Sequence, residues 1–278
     1  MRSELKDLHL VVLMGGPGSE REVSLRSGAA VARALSEGGY RVTPLEVHGT
    51  EVPLPVDTDL CVNMIHGTFG EDGRLQALLE ERGVAYTGEG VAGSRLAFDK
   101  LASKQRFREA NVPTPGWEQI SAGQHPSLPL PVVVKAPREG SSVGVYIVRE
   151  ASALENALRQ CASLDRQILV EEFVEGRELT VGVVGEKALS IVEIRPHRTT
   201  ALVQDTALRA HRSLGLEVYS RVDVLLRADG SISVLEANTI PGMTETSLLP
   251  KAAEAVGLSF LELCEEIASL SLRRFRQP

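Results

Sequence analysis

Three oxygen-bearing side chains, Asp223, Glu236 and Asn238, lie in two apolar runs that flank Asp229-Gly230. Asp-Gly between runs rich in Val, Leu and Ile predicts a β-hairpin. A two-residue turn sets Ala228 opposite Ser231, Leu226 opposite Ser233 and Val224 opposite Leu235. Carried outward, the same register sets Asp223 opposite Glu236 and Arg221 opposite Asn238, all four on one face. Opposed strand residues stand ~5 Å apart. Two carboxylates there repel by roughly 3 kcal/mol at an effective dielectric of 20. Either the face is solvated or a cation lies between them. The register continues that face through Leu225, Ile232 and Val234, which argues for cover rather than water. A divalent cation with oxygen ligands removes the repulsion, and Mg²⁺ takes phosphate oxygens as further ligands. A one-residue bulge would shift this register.

Phosphate chemistry has a second signal upstream. Val132-Val-Val-Lys135 runs into Glu139-Gly-Ser-Ser-Val-Gly144 and then Val145-Tyr-Ile-Val148. This predicts two strands joined by a loop of small residues. Gly140, Ser141, Ser142 and Gly144 leave backbone N–H groups free to meet phosphate oxygens, and Lys135 supplies a point charge. The plain alternative is a flexible hairpin tip with an exposed lysine, but lysine closing a Val run is unusual in a buried strand. Glu171 interrupts the strand Ile168–Val174, and Glu178 opens the next, Leu179–Val184. Carboxylates at such an edge accept from an adenine amine or a ribose hydroxyl, or else guard the edge by charge.

Two further candidates stand at strand ends. Leu8–Met14 reads as a buried parallel strand, broken by Gly15-Gly-Pro-Gly18. Ser19 and Glu22 are spaced as a capping box for a helix that runs to about Glu37 and stops at Gly38-Gly39. Its inward stripe is Val23, Ala30, Val31, Ala34 and Leu35. Glu20 sits beside that helix start, where it could hold a cationic group. The glycines lack the G-x-G-x-x-G spacing of a dinucleotide loop. A strand at Tyr40–Val47 follows, then Leu60–Ile65, which delivers His66 into His66-Gly-Thr-Phe-Gly-Glu-Asp-Gly73. In open α/β sheets ligands bind at carboxyl ends of strands, although a single histidine there also serves as a structural hydrogen-bonder. Leu75, Leu78 and Leu79 form the inward side of the next helix.

The elements that position these groups continue in order. Asp99-Lys100 opens a helix to about Ala110, which Asn111, Pro113 and Pro115 end. Pro126–Pro131 is a proline-rich loop, and Ala151–Cys161 is a helix. Ile191–Ile194 is a strand. Only His197, Arg198, Thr199 and Thr200 separate Pro196 from a helix beginning near Ala201 and ending at Gly215. Pro250 suits a first helical turn that Gly257 closes. Ser259 caps a last helix with Phe260, Leu263, Cys264 and Ile267 inward.

A chain of 278 residues with 43% hydrophobic and 24% charged residues has room for about two domains of an ordinary globular protein. Its net charge of −7 implies no general affinity for nucleic acid. Cys61, Cys161 and Cys264 are too few and too scattered for a disulfide framework or a zinc site, which fits a reducing cytoplasm. No apolar run is long enough to span a membrane, and the N-terminal segment does not read as a signal peptide.

Taken together, the motifs resemble the D-alanine–D-alanine ligases of the ATP-grasp superfamily. The matching stretches are GGPGSEREVSL with the following SG, HGTFGEDG with LQ, YTGEGV, Asp99-Lys100, VVVKAPREGSSVGV, EGRELTVGV, RVDV and LEANTIPGMTETSLLP. They occur in family order over nearly the whole chain. The resemblance implies an α/β and α+β protein: a Rossmann-like open α/β domain over 1–93, a central ATP-grasp lobe over 94–174 and a C-terminal lobe over 175–278. It also implies that ATP phosphorylates one D-alanine and that the amine of a second attacks the acyl phosphate, making a peptidoglycan precursor.

By the same resemblance Lys100 and Lys135 meet ATP phosphates under a loop containing Gly140, Ser141 and Ser142, with Ser141 also catalytic. Glu171 and Glu178 meet adenine and ribose. Asp223, Glu236 and Asn238 hold two Mg²⁺ ions, with Mn²⁺ as a substitute. Arg221 stabilises the oxyanion, and Glu20 holds the first substrate's amine. His66, Gly242, Ser247 and Leu248 line the substrate pockets. The implied partners are D-alanine and ATP, with no nucleic acid or membrane, and a homodimer is left open. One stretch departs from the pattern: the family's long substrate-covering loop, with its tyrosines, is replaced here by the four residues after Pro196. That leaves another acceptor, or a non-catalytic nucleotide-binding protein, as competing expectations.

Overall fold

The computed structural model describes residues 5–140, 143–192 and 200–276. Three four-stranded sheets organise them. The first holds β1 (His9–Gly15), β2 (Arg41–Val47), β3 (Leu60–Asn63) and β4 (Ala85–Tyr86) in the order β2-β1-β3-β4, all parallel. Every residue of β1 is buried, because helices cover both faces of its sheet. Leu10, Val12 and Met14 pack with helix α1 (Arg21–Glu37) and with the last helix, while Val11 and Leu13 pack with α2 (Arg74–Glu81). A strand covered on both sides reads as a continuous apolar run.

Helix α3 (Val91–Phe98) and helix α4 (Lys100–Glu109) lead into the second sheet. It comprises β5 (Trp117–Ser121), β6 (Val132–Lys135), β7 (Val145–Val148) and β8 (Gln167–Glu172), antiparallel in the order β5-β8-β6-β7. Helix α5 (Ala151–Leu164) lays Ala157, Leu158 and Cys161 on it. The third sheet, β10-β9-β11-β12, joins β9 (Arg177–Val184), β10 (Lys187–Val192), β11 (Tyr219–Leu226) and β12 (Ile232–Asn238), again antiparallel. Helix α6 (Thr200–Ser213) packs Val203, Ala207 and Ala210 against it. Helices α7 (Leu248–Glu254) and α8 (Phe260–Arg276) then carry the chain back to the first sheet, where Leu263, Cys264 and Ile267 join its core. Ser259 caps α8 in a full capping box: its hydroxyl accepts from Glu262 N–H at 3.3 Å, and Glu262 accepts from Ser259 N–H at 3.0 Å.

Two local expectations are corrected. The Asp229-Gly230 turn is a three-residue loop, closed by Arg227 N–H to Ser231 O at 2.9 Å, with Gly230 at φ 84°. Leu226 therefore pairs with Ile232 and Val224 with Val234; a bulge at Leu235 then restores Asp223 opposite Glu236 and Arg221 opposite Asn238. The bulge turns Ile232 and Val234 onto the core face with Val222 and Val224, away from the carboxylates. Secondly, Ser19 does not cap α1: Glu20 is the cap residue, without a side-chain cap bond, and its carboxylate stands against Gly67 and Gly140 instead. The buried stripe of α1 is also rotated, to Ser24, Ser27, Gly28, Val31, Ala32 and Leu35. Helix α6 starts at Thr200, next to the expected Ala201; residues 193–199, with Pro196 to Thr199, lie outside the described residues.

Candidate active site

A cleft of about 320 Å³ opens where the three sheets meet. Its floor is the β11–β12 hairpin. Strand alternation points Arg221 and Asp223 to the same side, and the guanidinium folds back on the carboxylate at 2.8 Å, Nη2 to Oδ2. Thr180, paired with Asp223 across β9, donates its hydroxyl to Oδ1 at 2.7 Å. Burial pushes the Asp223 carboxyl above the usual carboxylate range even with Arg221 beside it. Opposite, Glu236 meets Lys100 Nζ at 3.3 Å. Burial opposes its charge, but Lys100 and Lys135 outweigh burial and hold it below the ordinary value. The repulsion inferred from the register is thus neutralised by Arg221 on one side and Lys100 on the other.

Lys100 begins α4, whose N-terminus Asp99 caps by accepting from Leu101 and Ala102 N–H at 3.0 and 3.2 Å. Lys100 Nζ also donates to Glu139 O at 2.7 Å, which ties the helix to the loop after β6. That loop crosses to the first sheet's side of the cleft. A Cβ on Gly140 would stand 2.6 Å from Glu20 Oε2, and one on Gly67 2.5 Å from the same atom, with Gly67 at φ +67°. Glycine at both positions lets two backbones close on one carboxylate.

On the far wall His66, 3% exposed, faces Ser27 Oγ at 3.2 Å through Nε2 and Glu71 at 3.6 Å through Nδ1. Burial raises the Glu71 carboxyl, with His66 acting against it. Ser27 also accepts from Met243 N–H at 3.1 Å, so α1 holds the loop that follows β12.

The structure brings Glu20, His66, Lys100, Gly140, Glu178, Arg221, Asp223, Glu236, Asn238 and Gly242 together around this cleft. Four expected residues stand behind its wall or beside it. Lys135 and Glu171 pair with each other, with Glu171 1% exposed. Ser247 lies against Gly242, where an added Cβ would come within 3.0 Å of its hydroxyl, and Leu248 is 38% exposed. Ser141 and Ser142 fall outside the described residues. Lys104, Glu71, Thr180 and Ser27 were not expected. Lys104 carried a usable signal: it occupies the inward stripe of α4 with Leu101 and Phe107, a position normally apolar.

Among the described residues no group of three or more His, Cys, Asp and Glu side chains forms a metal cluster. Two opposed carboxylates and one amide oxygen remain, an all-oxygen set that suits Mg²⁺ completed by phosphate and water.

Comparison with known proteins bears on this geometry. A family model described as "D-ala D-ala ligase C-terminus" matches residues 114–201 and 194–269. The D-alanine–D-alanine ligase of Methylacidiphilum infernorum is 41% identical over 293 aligned positions, covering 96% of this chain and 97% of that protein. That of Geotalea uraniireducens is 40% identical over 306 positions, covering 99% of each. Both alignments are longer than the 278-residue chain, so it is gapped against its relatives, and the two stretches of the family match overlap at 194–201. The solved D-alanine–D-alanine ligase of Bacillus anthracis complexed with ATP superimposes with a TM-score of 0.89 at 29% identity, covering 97% of this chain and 99% of that one.

Proposed function

The chain belongs to the D-alanine–D-alanine ligase family, and from that premise we propose how its cleft does the chemistry. The enzyme joins two D-alanines at the expense of ATP for peptidoglycan precursor synthesis. A carboxylate oxygen of the first D-alanine attacks the γ-phosphorus and ADP leaves; the amine of the second attacks the acyl carbon, and phosphate and a proton leave.

The observation that carries the residue assignments is the convergence on one cleft of Glu20 from the start of α1, Lys100 from the start of α4, and Arg221, Asp223 and Glu236 from the third sheet. Glu20, pinned between Gly67 and Gly140, takes the ammonium of the first D-alanine. Lys100 and Lys135 meet the phosphates, Lys100 by leaving Glu236. Glu178, two residues from Thr180 on the same face of β9, reaches a ribose hydroxyl. Arg221, already aimed by Asp223, stabilises the oxyanion, usually the largest single contribution in acyl transfer. His66 and the Gly242–Leu248 loop shape the amino-acid pockets. Asp223, Glu236 and Asn238 would hold Mg²⁺, which neutralises phosphate charge when bound. ATP as substrate and three free, buried cysteines suit the cytoplasm.

Purified chain incubated with ATP, Mg²⁺ and either D- or L-alanine tests this, with products identified by mass. D-alanyl-D-alanine formed only with the D-isomer supports the reading, and ADP without dipeptide from any amino acid overturns it.

A further inference from the structure

Two lysines converge on one buried carboxylate. Lys104 reaches Glu171 Oε1 and Lys135 reaches Oε2. Register explains the second contact: Glu171 on β8 pairs with Val133, so Lys135, two residues on, projects from the same face of β6. The first arises because Lys104 is one turn beyond Lys100 on α4 and points inward. Lys104 and Glu171 are each 1% exposed, whereas the Lys135 side chain is 12% exposed. Lys104 is further held by the Thr114 hydroxyl and, at 3.4 Å, by the Val234 carbonyl.

One lysine would already neutralise Glu171. A second buried cation adds desolvation cost with no unpaired charge left to satisfy. Its effect is on the partner. Glu171 shared between two lysines leaves a net positive charge, and the more exposed lysine, Lys135, also acts on Glu236 in the cleft lining.

We propose that Lys104 is a positioning residue for the nucleotide: by taking half of the Glu171 carboxylate, it keeps Lys135 available as a cation for ATP phosphates. The inference rests on the reading of this cleft as an ATP site and deepens it. Without Lys104, Glu171 closes fully on Lys135 and cancels it.

The groups that face Lys104 are Glu171 from β8, Lys135 from β6 and Glu236 from β12. Burial lowers the Lys104 ammonium to about 8, Lys135 adds to that, and the two glutamates oppose it. Mildly alkaline solution therefore performs the same change as deleting the charge.

The test is ATP binding by titration calorimetry from pH 6.5 to 9.5, with wild type and Lys104→Met, which keeps the length and apolar stem. At pH 7 the variant is expected to bind ATP about tenfold more weakly, the scale of one unit charge removed several ångströms away. Wild-type affinity should fall above pH about 8 toward the variant's, while the variant stays flat. KM for ATP should rise more than kcat falls, and KM for D-alanine should not move. Equal affinities, or a constant ratio at every pH, overturn the inference. The wild-type titration alone decides it should the variant not fold: affinity flat through pH 8 to 9.5 overturns it. A wild-type chain that binds no ATP removes the nucleotide reading itself, and the inference with it.

Discussion

Asp223 stands directly across the hairpin from Glu236, yet the two carboxylates draw their countercharge from different elements. Asp223 is held by Arg221 on its own strand, Glu236 by Lys100 at the start of α4. Each carboxylate of this opposed pair thus has its own cation, and a metal–nucleotide complex must displace both cations onto phosphate and substrate. Glu236→Gln leaves Lys100 its bond to the Glu139 carbonyl, so the fold should persist. It removes one of the two carboxylates proposed to hold Mg²⁺. Turnover should drop by at least ~100-fold, with a Tm near wild type. Full Mg²⁺-dependent turnover in this variant would remove Glu236 from the metal site.

Gly140 tests whether Glu20 holds substrate. A methyl at Gly140 would meet Glu20 Oε2 at 2.6 Å, and the carboxylate, at the end of a flexible side chain, must swing away. Gly140→Ala should therefore change stability by less than ~1 kcal/mol while raising KM for the amino acid several-fold. Steady-state kinetics and thermal unfolding separate the two effects. An unchanged KM would show that the Glu20 position is irrelevant to substrate.

Lys104 also links stability to pH. Its folded value is about 8 against an ordinary 10.5, so between these limits the native state binds fewer protons than the unfolded chain. Stability then rises with pH across that window, and below it the charged ammonium is buried at a cost. Lys104→Met removes this cost, so at pH 7 the variant should be at least as stable as wild type. The gap should narrow as pH rises toward 9.5. Thermal unfolding at both pH values checks this; a variant destabilised equally at each would make Lys104 a structural group.

Much of this arrangement is written in residue spacing. The pairing of Asp223 with Glu236 follows from Asp229-Gly230, and it holds although the turn is one residue longer than expected. Two compensating irregularities, at the turn and at Leu235, cancel before the carboxylates. Spacing could not show them, because the Asp229 side chain that accepts from Ser231 N–H at 2.9 Å fixes the turn only in three dimensions. Strand β5 was missed because only Ile120 of its five residues is buried, which leaves no alternation to read. Helix α3 is short and contains Gly93, which weakens its helical signal. Lys104 was overlooked for a different reason: a lysine reads as surface until the helix face it occupies is known.

The last prediction concerns water. Helix α6 begins at Thr200, so the sequence leaves three residues between it and Pro196. The relatives carry additional residues: their alignments run over 293 and 306 positions, and the family match falls into two stretches that overlap at 194–201. A covering segment excludes water from a reactive intermediate and completes the site. Here the loop after β6 supplies one wall, through Gly140 against Glu20, and the chain has fewer residues than its relatives to form a covering segment. An acyl phosphate reached by water returns D-alanine and phosphate, having consumed ATP. With D-alanine as the sole amino acid, ADP release should therefore exceed dipeptide formation. Arg221 still faces the cleft, so some dipeptide should form. Both products measured in one reaction decide the point. A one-to-one ratio at ~10 s⁻¹, a typical enzyme rate, would mean that another segment shields the intermediate fully. Excess ADP that falls toward one-to-one when a different amino acid is supplied would instead identify the acceptor this shorter connection admits.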